Sequence, residues 1–192
     1  MICLTLGLYQ TNCYILPGES GQALVIDPGD SPEAILRELE SRGLFCAAVL
    51  LTHGHFDHVG AVRSLAAETG CPVYLCEKEL SLPPMMTAGK LYYTHTYAEG
   101  DEITLAGLHF SVLETPGHTP GSVCLKFGNR LFTGDTLFAG SCGRVDFPGS
   151  SPGDMKKSLA RLSGLQEDLE IYPGHGDSTT LACEKQTNPY LR

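Results

Sequence analysis

Apolar residues along this chain fall into short runs separated by glycine, proline and polar clusters, and the spacing changes from run to run. Alternating or continuous apolar stretches at 2–6, 13–16 and 23–26 read as strands, with turns at Pro17-Gly18 and Asp27-Pro28-Gly29-Asp30 between them. Ser31-Pro32-Glu33 then opens a helix through about Arg42, with Ser31 as the capping residue and Pro32 in the first turn. Ala34, Ile35, Leu36 and Leu39 give that helix one apolar side, and Gly43 ends it. The run at 46–51 predicts a buried strand. Val59, Val62, Leu65 and Ala66 recur at helical spacing and predict a helix from about His58 to Glu68, stopped by Gly70-Cys71-Pro72. Another strand follows at 73–76.

From Glu77 to Gly100 no period is clear, and the stretch reads as a short helix plus loop. Strands return at 102–105, 108–114, 122–127 and 130–134. A long loop over about 136–153, a helix over about 154–163 and a strand over about 169–172 complete the pattern. Periodicity alone gives a mixed α and β chain. No linker, low-complexity segment or internal repeat interrupts it, so one domain over residues 1–192 is expected.

Chemistry concentrates at the ends of these runs. Thr52-His53-Gly54-His55-Phe56-Asp57-His58 follows the apolar run Ala47-Ala48-Val49-Leu50-Leu51 and places three imidazoles and a carboxylate within six residues. Imidazole and carboxylate suit zinc, iron and manganese. A single buried histidine is usually structural, but three beside an aspartate at a strand end point to metal. The cluster resembles the H-x-H-x-D-H signature of the metallo-β-lactamase superfamily. The later motifs agree in order: Thr115-Pro116-Gly117-His118, then Thr133-Gly134-Asp135-Thr136, then Tyr172-Pro173-Gly174-His175-Gly176, each at the end of an apolar run.

The resemblance implies a four-layer αββα sandwich of the α/β class, with ligands on loops along one edge. It implies a first metal site of His53, His55 and His118, a second of Asp57, His58 and His175, and Asp135 bridging two divalent ions. Zinc is expected, with iron or manganese as alternatives. A hydroxide bridging the ions would attack a substrate carbonyl, and Asp57 would also orient it. Gly54, Gly117, Gly134 and Gly174 adjoin ligands, where the backbone must turn tightly. The stretch Gly134-Asp135-Thr136-Leu137-Phe138-Ala139-Gly140-Ser141-Cys142-Gly143-Arg144 looks like the glyoxalase II branch, and the C-terminal segment resembles its short relatives. The implied activity is hydrolysis of small thioesters such as S-lactoylglutathione. Longer glyoxalase II proteins add a helical domain with basic residues that grip glutathione, and without that domain the expectation is thioester hydrolysis with less specificity for glutathione.

Three other readings stand beside it: a mononuclear iron persulfide dioxygenase, a lactone or ester hydrolase of the same fold, and a non-catalytic scaffold. Arg144 is the candidate substrate-binding residue, through an anionic group. Its alternative is a salt bridge within its own loop to Asp146. His95 and His109 match no ligand position and read as structural or exposed. Tyr92, Tyr93 and Tyr97 read as packing residues that could also line a pocket.

Bulk properties narrow the partners. The 192 residues carry a net charge of −9, with 42% hydrophobic and 18% charged residues. That acidity counts against nucleic acid, whose binding rests on phosphate neutralisation. No apolar run approaches a membrane span. Eight cysteines without a C-x-x-C pair or a signal-like N-terminus read as mostly buried small hydrophobes in a reducing cytoplasm, with Cys142 set apart in its Gly-rich loop.

Overall fold

The computed structural model describes residues 1–87 and 89–191. Within them the strands gather into two six-stranded sheets and one small hairpin. The first sheet begins with β1 (Ile2–Leu6), β2 (Thr11–Pro17) and β3 (Gln22–Ile26), an antiparallel meander. Helix α1 (Pro32–Ser41) crosses to β4 (Phe45–Leu50), which pairs parallel with β3. Helices α2 (Phe56–Val59) and α3 (Val62–Thr69) lead to β5 (Val73–Cys76), parallel to β4. A 3₁₀ turn over Glu77–Ser81 opens the irregular segment, which ends in β6 (His95–Tyr97) at the sheet edge.

The second sheet takes β7 (Glu102–Leu105), β8 (Leu108–Glu114), β9 (Val123–Phe127) and β10 (Arg130–Gly134), all antiparallel in sequence. The hairpin β11 (Leu137–Phe138) and β12 (Ser141–Cys142) and helix α4 (Pro152–Ser163) follow. β13 (Glu170–Pro173) then pairs parallel with β10, β14 (Thr179–Thr180) closes the edge, and α5 (Leu181–Thr187) packs beyond it.

Burial on both faces explains the continuous apolar runs. In β3, Ala23 and Val25 meet Ile35 and Leu39 of α1 and Val62 and Leu65 of α3 in one core. Leu24 and Ile26 face the other way, into a core shared with Phe110, Val112, Leu125 and Phe132 of the second sheet. Leu131, Ile171, Leu159, Leu162 and Leu181 form a third core between the second sheet and α4 and α5. Three cores between four layers are the αββα sandwich. Phe110 and Phe132 are fully buried between the sheets, and truncating either to Ala would cost about 3–5 kcal/mol.

Several expected boundaries move. The predicted helix from His58 is two helices, broken at Gly60-Ala61, where the Ala61 N–H donates to the Pro28 carbonyl at 3.0 Å. A Cβ at Gly60 would sit 2.2 Å from the Gly29 carbonyl oxygen, so the break rests against the 28–29 turn. Ser31 occupies the N-cap position of α1 but does not cap it: at φ 52° its hydroxyl turns to Asp30 instead. The segment 77–100 holds β6, and the 136–153 loop holds the β11–β12 hairpin. Helix α5 and β14 lie in a tail with no assigned element. No helix among the described residues is long and apolar enough to cross a membrane.

Candidate metal centre

Strand direction brings the candidate ligands to one edge. β3 and β4 run parallel, and β8, β10 and β13 share a direction because β9 is antiparallel to both β8 and β10. Their C-terminal ends carry the site. The 52–55 loop after β4 presents His53 and His55, and α2 presents Asp57 and His58. The turn after β8 gives His118, the end of β10 gives Asp135, and the turn after β13 gives His175.

Among the described residues three groups of three donors result; one, Asp27 with His53 and His58, spans the other two, which match the two expected sites. One ligand atom from each of His53, His55 and His118 lies within 4.8 Å of the others, and the same holds for Asp57, His58 and His175. Asp135 stands between them: Oδ2 is 3.4 Å from His118 Nε2 and 3.6 Å from His175 Nε2, and Oδ1 is 3.4 Å from His58 Nε2. All seven residues expected from the sequence therefore meet. Gly174 lets them: a Cβ there would lie 2.3 Å from Asp135 Oδ1 and 2.6 Å from His58 Cε1. Close approach is the reason for this glycine, whereas Gly134 also turns the chain at φ 47°.

The outer nitrogens decide which way the rings point. Thr52 Oγ1 donates to Asp27 Oδ2 at 2.6 Å, so it can only accept from His53 Nδ1, 3.1 Å away. His58 Nδ1 donates to Asp27 Oδ2 at 3.0 Å, His118 Nδ1 to the Arg144 carbonyl at 2.8 Å, and His175 Nδ1 to the Tyr9 carbonyl at 3.1 Å. In these four rings Nδ1 carries a proton and Nε2 faces inward, the orientation that outer partners impose on metal-binding histidines. His55 differs, with Nδ1 2.8 Å from His118 Nε2. Asp27 is a residue that sequence reasoning passed over as part of a turn. It is buried, it accepts from the Thr52 N–H at 2.8 Å, and it serves one histidine from each group.

The titration environment fits a cation. Burial, reinforced by the neighbouring imidazoles, holds His53 well below the usual histidine range and His55 at about 4. Burial also lowers His118. Those rings are neutral, as ligation requires. Burial disfavours charge on His58 and His175 as well, but Asp135 and Asp27 beside His58, and Asp57 and Asp135 beside His175, outweigh it and raise both. Burial likewise opposes ionisation of Asp135 and Asp57, and the facing imidazoles overcome it and hold both carboxyls low. His53 Nε2, His55 Nε2 and Asp135 Oδ1 are buried polar atoms without a hydrogen-bond partner. Orphaned buried acceptors are costly, and three of them on residues of the clustered donor set fit bound cations.

A cavity of about 400 Å³ opens over these residues. Tyr9, Phe56, Met86, Phe138 and Phe147 wall it, with Arg144 at its side. The Arg144 guanidinium lies 4.3 Å over the Phe147 ring, and Nε and Nη2 reach Asp146 at 2.9 and 2.8 Å. Both sequence readings of Arg144 thus have a physical counterpart: it borders the cavity and forms the bridge within its loop. His95 and His109 stand exposed on β6 and β8. Tyr97 is buried with its hydroxyl on the Leu51 carbonyl, and Tyr92 and Tyr93 line other surface hollows. Cys142 is half-buried, and Cys3 and Cys183 are exposed rather than buried.

Comparison with known proteins agrees with this geometry. Residues 6–175 match the model of the metallo-beta-lactamase superfamily. The hydroxyacylglutathione hydrolase GloC of Haemophilus influenzae is 35% identical, over 95% of this chain and 93% of that one. The BLEG-1 B3 metallo-beta-lactamase superposes with a TM-score of 0.92 at 34% identity, covering 99% of this chain and 98% of that one. TTHA1623, solved in a di-iron-bound form, superposes at 0.87 with 40% identity and complete coverage of both chains.

Proposed function

The chain belongs to the metallo-β-lactamase superfamily, and on that premise we propose that it is a binuclear metal-dependent hydrolase of small thioesters. The observation that carries the reading is the pair of three-donor groups joined by Asp135. His53, His55 and His118 would hold one divalent ion, Asp57, His58 and His175 the other, and Asp135 both. Two such ions supply Lewis-acid polarisation of a carbonyl and a water that loses its proton near neutral pH. Zinc is the proposed metal, with iron supported by the di-iron form of TTHA1623.

The chain's own residues do the positioning. Thr11 Oγ1 donates to Asp57 Oδ2 at 3.2 Å, and His175 Nε2 lies 3.3 Å from the same oxygen. Held between them, the Asp57 carboxylate can ligate and orient the attacking water toward the cavity. The aromatic walls exclude solvent from a small acyl group, and Arg144 would meet an anionic part of the substrate. Thioester choice rests on the likeness to GloC and on the loop from Gly134 to Arg144. The substrate class, the single domain over 1–192, the cytoplasmic location and the absence of nucleic-acid or membrane partners belong to the same proposal. Lactam hydrolysis is the second reading, favoured by the likeness to BLEG-1.

The test uses protein loaded with zinc, and separately with iron, at measured stoichiometry. Acyl thioesters of glutathione, coenzyme A and small thiols are screened for free thiol without oxygen, alongside a chromogenic cephalosporin. Two ions per chain, thiol release and its loss on chelation are expected. A stoichiometry near one, with oxygen uptake on glutathione persulfide and no thioester turnover, would replace the hydrolase with a mononuclear dioxygenase. Cephalosporin turnover alone would move the reading to the lactam.

A further inference from the structure

Glu79 is a carboxylate that the metal centre, as described, does not use. It sits in the 3₁₀ turn over Glu77–Ser81 and is fully buried. Its two oxygens go to two different loops. Oε2 accepts from the Gly54 N–H at 2.5 Å, and Oε1 accepts from the Gly121 N–H at 2.7 Å. Gly54 lies between His53 and His55. Gly121 closes the turn that begins at His118 and continues through Thr119 and Pro120. One side chain therefore ties together the two loops that carry the whole first group of donors. The second group, on Asp57, His58 and His175, has no such tie to Glu79.

The fit leaves little slack. A Cβ at Gly54 would meet Glu79 Oε2 at 3.0 Å, and one at Gly121 would meet Glu79 N and Oε1, both at 2.8 Å. Both glycines are close-approach positions against this carboxylate. Two N–H donors from two loops thus converge on the two oxygens of one carboxyl group. Glutamine in the same pose would keep one acceptor and turn an NH₂ against the other loop's N–H, leaving a buried donor unpaired.

We propose that Glu79 is a positioning residue for the first metal site, fixing the distance between the His53–His55 loop and the His118 loop. It acts through backbone N–H groups, and its expected signature is selective: the ion held by His53, His55 and His118 weakens, and the ion held by Asp57, His58 and His175 does not. The same turn continues into the segment bearing Met86, whose carbonyl accepts from the Phe56 N–H at 2.8 Å. The wall of the cavity and the first metal site are thus joined through one stretch of chain.

Metal-free wild type, Glu79→Gln and Gly121→Ala are titrated with Co²⁺ against a chelating dye, and the visible absorption of each ion is followed as it binds. Gly121→Ala keeps the carboxylate and pushes on the same contact from the other side. Metal-free thermal unfolding reports whether each variant folds. The expected result is at least a tenfold loss for one ion, a changed absorption band for that ion, and the other ion unaltered, in both variants. Equal weakening of both ions, or two wild-type binding steps, would overturn the assignment. Because binding is read without turnover, this outcome is independent of whether thioesters prove to be the substrate.

Discussion

Replacing Asp27 by Asn tests whether outer hydrogen bonds set the histidines for metal. Asp27 is 2% exposed and accepts from the Thr52 N–H, the Thr52 hydroxyl and His58 Nδ1 at 2.8, 2.6 and 3.0 Å. Asn keeps the shape but has one acceptor oxygen. With that oxygen on the Thr52 N–H, its NH₂ stands where Oδ2 stood, facing the Thr52 hydroxyl and His58. Two rings then change tautomer. His58 Nδ1 must accept, so its proton moves to Nε2. The Thr52 hydroxyl, now receiving from Asn, donates to His53 Nδ1, and that ring's proton also moves to Nε2. One imidazole of each donor group loses the lone pair that faces the metal. Loss of an outer partner typically costs 10- to 100-fold in metal affinity, or about 1.4–2.7 kcal/mol. The fold itself should lose about 1.5–3 kcal/mol from a weakened charge-assisted hydrogen bond. Zinc titration of metal-free Asp27→Asn against a chelating dye reads the first quantity, and metal-free thermal unfolding reads the second. Both ions should weaken. Binding of both within twofold of wild type, with the fold measurably destabilised, would refute the tautomer argument and leave Asp27 a purely structural acceptor.

Asp57→Ala should bind the second ion more weakly and lose orders of magnitude in turnover; a rate within a few-fold of wild type at full metal loading would remove its assigned role. Arg144→Ala should raise KM several-fold for thioesters carrying a carboxylate and spare neutral ones. Equal changes for both classes would leave the Arg144–Asp146 bridge as the residue's whole function.

The central strands were legible because burial on two faces writes itself into composition, whereas the four layers came from the family resemblance. β3, β4 and β9 read as strands from near-continuous apolar runs, and α1 as a helix from its one apolar side. The α2–α3 break was not legible, since Val59, Val62, Leu65 and Ala66 keep helical spacing across it. What interrupts the helix is the backbone of Pro28 and Gly29, distant in sequence. The β11–β12 hairpin and α5 were hidden for a related reason. Polar tertiary contacts hold them: buried Glu184 accepts from the Gly140 N–H, Thr179 and Asn188, and Asn188 reaches the Phe138 and Ser141 carbonyls. A carboxylate and an amide in a polar tail carry no periodicity that would announce burial.

The seven candidate ligands were legible for the opposite reason, since side-chain chemistry is what a sequence displays. Their orientation was not. His118 and His175 are aimed by the carbonyls of Arg144 and Tyr9, and every residue type has a carbonyl. No motif can record such a partner. This separation also makes the Arg144 experiment interpretable. Removing the guanidinium leaves the residue-144 carbonyl on His118 Nδ1, so the ligand keeps its tautomer and the metal its affinity. A KM effect confined to acidic thioesters would then report substrate recognition at the cavity edge. A fall in metal affinity in the same variant would instead mean that the Arg144–Asp146 bridge holds the loop on which His118 depends.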